Sequence, residues 1–269
     1  MSPDNTRVEA MDASATANVI YLKERSFFML KKDLILRNPL RLLGNEQETI
    51  LSPGGFGAIL ARAGVGKTSL MVQLALNTLL GNRNVLHISM NDPVKKVSLW
   101  YEEVFRHIAD KYQLAQIDQL WEGILPHRFI MTFKVEVFSV PKLEERLTDL
   151  TEQGIFFPNM IIIDGLPFTE SAREMLQELK QLALKHALHV WFSVRTHRHE
   201  TVDTDPDGVP SAFQNVADLF EVLIGLKPEG EEIHVRVLKG GSADRDPRGL
   251  QLDPATMLIM DIADKAAAV

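Results

Sequence analysis

The sequence contains no cysteine, and this absence removes several kinds of site at once. Without thiols the chain can form no disulfide, zinc–thiolate centre or iron–sulfur cluster, and it has no cysteine nucleophile. A cytoplasmic location is expected, because proteins of reducing compartments rarely use disulfides. The sequence also lacks an apolar run near the ~20 residues that a membrane-spanning helix needs, so no membrane partner is expected.

The sequence also has fewer positively charged than negatively charged side chains. The chain has 29 Lys and Arg against 36 Asp and Glu, which gives a formal net charge of −7. This balance disfavours DNA as a partner, although a local basic patch can still bind it. The 45% hydrophobic and 24% charged residues are ordinary globular values, which exclude global disorder and fibrous architectures.

The pattern along the chain predicts one large domain between two loose ends. Residues 1–18 are polar, lack the apolar stretch of a signal peptide and are interpreted as a disordered tail, with a partner-binding arm as the alternative. We expect a single domain over residues 19–262 and a frayed C-terminus over residues 263–269. Strand and helix patterns alternate through the first two-thirds, which predicts an α/β fold with a mainly parallel twisted sheet flanked by helices. The last third is mostly β and predicts antiparallel additions.

Apolar runs bounded by turns set the expected elements. Strands are predicted at residues 56–60, 85–88, 129–133, 160–163 and 190–194, antiparallel strands at 219–226 and 233–238, and a hairpin from 250–252 and 257–260. Helices are predicted at residues 69–80 and 142–150, and behind Ser171 and Glu174. A further helix is expected to open at Asp92–Pro93, with Asp92 as N-cap and Pro93 in the first turn.

The strongest motif is Ala61-Arg62-Ala63-Gly64-Val65-Gly66-Lys67-Thr68, between a predicted strand and a predicted helix. Small residues let backbone N–H groups curl around phosphate oxygens, and the helix N-terminus adds positive potential. We therefore predict that Lys67 contacts the β- and γ-phosphates of ATP and that the Thr68 hydroxyl binds Mg²⁺. The full predicted phosphate-binding set is Ala63, Gly64, Val65, Gly66, Lys67, Thr68 and Ser69.

One position departs from the usual pattern, which begins with glycine where Ala61 stands here. Alanine disfavours a positive φ. Either the loop is slightly altered, or this position does not need that dihedral angle.

A second acidic position completes the predicted metal site. Asp164 directly follows the apolar run of residues 160–163, and a carboxylate at the end of a neighbouring strand is where such a loop needs one to hold Mg²⁺. The alternative is that Asp164 only starts a turn with Gly165. The context favours Thr68 and Asp164 as the metal pair.

In this order of motifs the sequence resembles the RecA-like P-loop ATPases, within them the KaiC and DnaB branch, over roughly residues 53–260. The blocks that carry the resemblance are residues 64–75, 85–93, 160–164, 193–198 and 235–242. The resemblance implies ATP bound between the subunits of a ring or filament, a segment at 193–198 that senses the γ-phosphate, and a late β segment that reaches the neighbour's nucleotide.

Two departures from the family pattern concern catalysis. The resemblance implies a catalytic Glu after the second strand, where this chain has Asn91 and Asp92, and Asn cannot take a proton from water. Asp92 is the candidate water-orienting acid. Lys239 matches one trans-acting cation of the late β segment, and Arg245 and Arg248 on the next loop are candidates for the second. The alternative is that these are solvated loop charges. We expect slow or partner-dependent hydrolysis.

Four functions stay open. The first is a Mg·ATP-binding ATPase that serves the assembly or regulation of a homo-oligomer, and the second is a non-hydrolysing nucleotide sensor or scaffold. The third, a DNA motor or recombination accessory, is disfavoured because Asp203, Asp205 and Asp207 would repel phosphate. The fourth, a kinase for a small acceptor, fits poorly with the β-rich C-terminal third and the absence of an Arg-rich lid. The sequence does not locate an adenine pocket.

Overall fold

The computed structural model describes residues 30–35, 37–43, 50–114, 116–169, 172–196, 209–240 and 249–263. Internal contacts divide the chain into two units, Met1–Arg37 and Asn38–Val269. In the first unit residues 30–35 are helical, and Arg37 pairs with Asp33 at 3.0 Å. The predicted tail, residues 19–29 and residues 264–269 lie outside the described residues, so the predicted domain boundaries stay predictions.

The second unit is built on one sheet, in which the described residues form nine strands in the order β3-β2-β4-β5-β1-β6-β7-β8-β9. The first six in this order run parallel, and β7, β8 and β9 are added antiparallel. The predicted α/β class, with antiparallel additions late in the chain, is confirmed. The strands are β1 Phe56–Ala61, β2 Val85–Ser89, β3 Arg128–Thr132, β4 Met160–Asp164, β5 His189–Arg195, β6 Val222–Glu229, β7 Glu232–Lys239, β8 Leu250–Leu252 and β9 Ile259–Asp261.

Helices cover both faces of this sheet. They are α1 Lys67–Leu80, α2 Val94–Lys111, α3 Ile117–Ile124, α4 Val140–Glu152, α5 Ala172–Lys185 and the short α6 Ser211–Gln214. On one face α1 packs against the central strands and α2, and α3 packs on α2; on the other face α4 packs on α5. Among the described helices none is long and apolar enough to cross a membrane.

Burial on both faces explains why the central strands are apolar throughout. Every residue of β1 and β2 is buried. On the α4–α5 face the core includes five phenylalanines whose neighbouring ring centroids lie 4.9–6.2 Å apart: Phe56, Phe168, Phe192, Phe213 and Phe220. On the opposite face 11 of the 14 residues of α1 are buried, which fixes its first turn against the sheet.

The predicted N-cap of α2 is wrong. The helix begins at Val94, its N-cap position is Pro93, and no side chain caps it. Proline disfavours the helical region for the residue before it, which places Asp92 one step outside the cap. The Asp92 carboxylate instead pairs with Lys96 at 2.8 Å, one helical turn along. The helix α3 was not predicted, and the predicted capping residue Ser171 lies outside the described part of the chain.

Candidate functional site

Residues 62–66 form a tight loop between β1 and α1 at the carboxyl edge of the parallel strands. Gly64 and Gly66 have φ of 79° and 106°, which other residues rarely adopt. A Cβ at Gly64 would meet nothing within 4 Å, so open space lies beside the loop. Ala61 is the last residue of β1, is not among the residues with positive φ and pairs with Arg195. The first position of the motif therefore does not need a glycine here.

The N-terminal end of α1, where the helix dipole is positive, points into this loop. Gly66 is the N-cap, so no side chain caps the helix, and no acidic residue lies in the first turn. The exposed N–H groups and the helix dipole together favour an anion at this position. Ala63 and Gly64 are exposed on the loop, whereas Val65 is buried below it.

Lys67 is held in the loop by the loop's own backbone. Its Nζ donates to the carbonyl oxygens of Ala61 at 2.9 Å and Arg62 at 2.8 Å. Burial lowers the pKa of Lys67; the nearby Asp164 carboxylate raises it and Arg195 lowers it further. Anionic oxygens beside the loop would compete with those two carbonyls for the same amine, and charge-assisted hydrogen bonds are the stronger kind.

The predicted metal pair is brought together. Thr68 Oγ1 donates to Asp164 Oδ2 at 3.1 Å, and Ser193 Oγ donates to Asp164 Oδ1. The backbone N–H of Gly165 donates in turn to Ser193 Oγ at 2.9 Å. Both carboxylate oxygens are therefore fixed by hydroxyls, and Asp164 also starts the turn that the alternative reading expected.

This donor set suits Mg²⁺. That ion is usually held by one or two protein oxygens, with phosphate oxygens and water as its other ligands. Across the described ranges no three His, Asp or Glu side chains gather as metal ligands. Thr68 and Asp164 are thus the residues that would hold the ion.

The candidate catalytic acid, Asp92, has its hydrogen-bond and ion-pair partners on its own segment of the chain. The backbone N–H of Asp92 donates to Ser89 Oγ at 2.9 Å, and its carboxylate pairs with Lys96. Asn91 is the residue that lies against the Asp164 turn, because a Cβ at Gly165 would overlap its side-chain amide. The role of Asp92 stays a prediction, and it requires the carboxylate to leave Lys96.

The predicted cation Lys239 does not join the loop within one chain. Lys239 ends β7 opposite Leu223, which is level with Ala58 on β1. The loop begins four residues further along β1, about 13 Å away at the rise of a strand. Lys239 Nζ donates to the Ala217 carbonyl at 2.7 Å. Arg245 lies outside the described residues, so its predicted role stays untested.

The C-terminal hairpin packs against α1, a contact that the sequence did not reveal. Gln73 Nε2 donates to the Met257 carbonyl at 2.8 Å, and Gln73 Oε1 accepts from the backbone N–H of Ile259 at 2.8 Å. Ser69 Oγ, in the predicted phosphate-binding set, donates to the same Met257 carbonyl at 3.1 Å. Only the backbone N–H of Ser69 is left for a phosphate. A buried Gln in an apolar helix was the available signal, because buried amides need fixed partners.

A cluster of polar side chains, formed by His87, Tyr101 and Arg128, lies under the site on the α2 side of the sheet. His87 is fully buried on β2, with Nδ1 3.0 Å from Tyr101 Oη. Burial lowers the pKa of His87 to about 4, with the Asp164 carboxylate acting in the opposite direction. The Arg128 guanidinium lies 4.7 Å from the centre of the Tyr101 ring. His87 is therefore uncharged at neutral pH, and the cluster packs below the metal pair.

A known protein family matches the part of the chain that contains most of this site. A family model described as an AAA domain matches residues 38–198, which is more than half of the 269-residue chain. The matched range contains the loop, Asp164, the Asn91–Asp92 segment and Ser193. Lys239 and the C-terminal hairpin lie beyond it. No curated protein matches the sequence.

Proposed function

This chain belongs to the AAA-domain family of P-loop ATPases, and from that premise we propose a Mg·ATP-binding ATPase of the KaiC-like kind. Its slow hydrolysis would serve the assembly or regulation of a homo-oligomer. The observation that carries the proposal is the arrangement at the loop. Lys67 and Thr68 begin a helix without a side-chain cap, and the Thr68 hydroxyl lies 3.1 Å from Asp164.

Each residue of the loop has a defined task in this proposal. Lys67 exchanges the Ala61 and Arg62 carbonyls for β- and γ-phosphate oxygens, and the backbone N–H groups of residues 63–69 surround the phosphates. Thr68 and Asp164 would hold the metal ion. When bound, this ion would neutralise part of the phosphate charge. Ser193 keeps the Asp164 carboxylate in one orientation through its hydrogen bond to Oδ1.

Hydrolysis would follow the usual in-line course. A water oxygen forms a bond to the γ-phosphorus while the bond from that phosphorus to the ADP oxygen breaks, and the proton of the water passes to a base. Asp92 is the candidate base, but its carboxylate is paired with Lys96. Opening this partly exposed pair costs only about 0.3–0.5 kcal/mol. We expect slow turnover because Asn91 and the shorter acid Asp92 stand where the resemblance implies a catalytic Glu.

The position of Lys239 supports assembly as part of the proposal. Its amine lies at the opposite edge of the sheet from the loop of its own chain, where it binds the Ala217 carbonyl. A cation there meets a γ-phosphate only if a second copy supplies the nucleotide. Head-to-tail contact of this kind leads to rings or filaments. Arg245, which lies outside the described residues, stays the predicted second cation.

A second candidate function is a non-hydrolysing nucleotide sensor. It is favoured by one observation, namely that Asn91 rather than an acid lies against the Asp164–Gly165 turn. Nucleotide binding is common to both candidates, and only turnover separates them. The DNA-dependent motor stays a prediction, since residues 201–208 with their three Asp lie outside the described residues.

The test is ATP turnover by the purified chain with Mg²⁺, with and without single-stranded DNA. The Lys67→Ala variant removes the loop amine, and Lys227→Ala, an exposed amine paired with Glu229 on β6, is the matched control. We expect turnover that Lys67→Ala abolishes, that Lys227→Ala retains and that DNA does not change. ATP binding without turnover would favour the non-hydrolysing sensor over the ATPase. Stimulation by DNA would favour the motor.

A further inference from the structure

A cavity opens at the carboxyl edge of the sheet by β2 and β3, which β4 and β5 separate from the strand that carries the phosphate loop. Its volume is about 900 Å³, and it is bounded by the end of β2, the end of β3 and the first turns of α4. This space, called the crevice below, is lined by none of the described loop residues, and neither Thr68 nor Asp164 faces it. Ligand sites in proteins typically enclose roughly 300–1,000 Å³. The crevice is therefore large enough for a small molecule.

The chain topology explains why the crevice lies here. After β2 the chain crosses to α2, on the same face of the sheet as α1. After the neighbouring strand β3 it crosses to α4, which packs with α5 on the other face. Where adjacent parallel strands send their connections to opposite faces, a gap forms outside their carboxyl ends, and open α/β sheets commonly bind ligands there.

The lining combines an apolar wall with a basic rim. Met90, Met131 and Phe133 supply partly or fully buried apolar surface. Lys134 and Lys142 lie at the rim, and neither forms an ion pair with any residue in the described ranges.

The acidic groups at the crevice do not neutralise this rim. The Asp92 carboxylate is already paired with Lys96. Arg146, also in the lining, pairs with Asp149 at 3.5 Å, and Glu145 forms no ion pair with a described residue. Counted with the unpaired Glu145 carboxylate, the Lys134 and Lys142 amines leave a net positive charge beside apolar surface. Such a surface attracts a molecule that is itself both apolar and anionic.

We propose that the crevice binds a small organic anion, with an apolar body on Met90, Met131 and Phe133 and a carboxylate, phosphate or sulfonate against Lys134 and Lys142. This site is additional to the proposed ATP site and does not depend on it. The two sites share one wall, because Asn91 lines the crevice and also touches Gly165 next to the metal pair.

The test uses 8-anilinonaphthalene-1-sulfonate, whose aromatic body and sulfonate match this lining and whose fluorescence rises on binding. The probe is titrated into the full chain without nucleotide. Removal of both amines in Lys134→Gln/Lys142→Gln should weaken binding about tenfold or more. The matched control Lys227→Gln/Arg236→Gln removes the same charge from the distant β6–β7 hairpin and should leave the affinity unchanged.

A steric variant tests the same space without changing charge. Val137 lies on the rim and is 45% exposed, so Val137→Trp fills the crevice mouth with little risk to the fold. It should also weaken binding, and unchanged thermal unfolding midpoints would show that every variant is folded. Equal affinities in the wild type and in both crevice variants would overturn the proposal, as would an equal loss in the hairpin control.

Binding at the phosphate loop is separated by a third comparison. If Lys67→Ala abolishes probe binding and the crevice variants retain it, the probe occupies the loop and the crevice proposal is wrong. If Lys67→Ala binds the probe like the wild type but no longer binds ATP, the crevice is a separate site. Failure of ATP binding in the wild type would refute the proposed function alone, since the probe titration contains no nucleotide.

Discussion

The two edges of the sheet carry similar charged side chains and use them in different ways. At the carboxyl edge the Lys67 amine is held by two loop carbonyls beside an uncapped helix and open space. At the amino edge the Lys239 amine binds the Ala217 carbonyl, and the Lys180 amine lies 4.4 Å from the centre of the Phe56 ring. Lys67 and Lys239 are both bound by backbone carbonyls, but only the first lies beside an uncapped helix and open space. Of the two, we therefore expect only Lys67 to exchange its carbonyls for a ligand.

The same comparison separates binding from turnover. One chain holds the loop, the amine, the hydroxyl and the carboxylate that a Mg·nucleotide needs, all at the carboxyl edge. The groups expected to accelerate hydrolysis are not in place within one chain, because Asp92, at the same edge, is paired with Lys96 and Lys239 is at the opposite edge. We therefore expect single changes at the carboxyl edge to affect nucleotide binding strongly, and matched changes at the amino edge to affect it little.

The largest expected effect is that of Lys67→Ala on ATP affinity. Loss of a charge-assisted contact to two phosphates should weaken binding by about a hundredfold, or roughly 3 kcal/mol. Lys180→Ala removes an amine from the amino edge and should leave the affinity within about twofold. Isothermal titration calorimetry with Mg·ATP measures both. Similar losses of ATP affinity in the two variants would show that the two edges do not differ in nucleotide binding.

Asp164→Asn should have the next largest effect, and only when Mg²⁺ is present. The variant keeps the shape of the side chain but loses the charge that holds the ion, so ATP affinity with Mg²⁺ should fall by about tenfold or more. Without Mg²⁺ the two proteins should bind ATP alike. Glu221→Gln is the control, since Glu221 accepts hydrogen bonds from Ser52 at the amino edge. A magnesium-independent loss in Asp164→Asn would argue against a metal role.

Acid should weaken the fold through His87 more than through His189, at the amino edge. Burial lowers the pKa of both, that of His87 from 6.5 to about 4. The unfolded chain then takes up more protons than the folded one between these values, so stability is complete above pH 6.5 and is lost as the pH falls towards 4. For His87 the loss at pH 5 is about 2 kcal/mol.

Urea unfolding at pH 7.5 and pH 5 measures this dependence. His87→Gln should remove about 2 kcal/mol of the difference between the two pH values, and His189→Gln should remove less. Equal pH dependence in the wild type and in His87→Gln would show that His87 takes up its proton in the folded state at an ordinary pKa.

Asp92→Asn should give the smallest change in stability. The Asp92–Lys96 pair is partly exposed and one helical turn apart, and such pairs contribute about 0.3–0.5 kcal/mol. Urea unfolding should detect little, whereas ATP turnover should fall if Asp92 orients the water. Unchanged turnover in Asp92→Asn would remove this residue from catalysis, and the Asp92→Glu variant checks whether a longer acid raises the rate.

Short-range patterns in the sequence predicted the parts of the site that depend on neighbouring residues. The loop and Asp164 were predictable because a strand, a turn and a helix follow each other within a few residues, and β4 ends at Asp164 as expected. The Asp92 cap failed for a local reason, because Pro93 occupies the cap position. The helix α3 has only eight residues, which leaves too short a pattern to detect.

Contacts between distant segments could not be predicted in this way. The hydrogen bond from Ser193 to Asp164 requires β4 and β5 to be neighbours in the sheet. A polar residue in the apolar run 190–194 was the signal, but a sequence does not reveal its partner. The place of Lys239 depends on β6 lying next to β1, which the sequence does not reveal. The antiparallel direction of β7, which was predicted, then puts the end of that strand at the amino edge.

The hydrogen bonds of Gln73 have a consequence for the order in which the protein is made. Gln73 and Ile259 are 186 residues apart, and a ribosome adding about 5–20 residues per second needs roughly 10 to 40 s between them. Until then Gln73 Oε1 lacks its partner, and Nε2 has only the Ser69 carbonyl of its own helix at 3.3 Å. An unsatisfied buried polar group costs about 1–3 kcal/mol. The helix that carries Lys67 is therefore synthesised well before the hairpin that secures it.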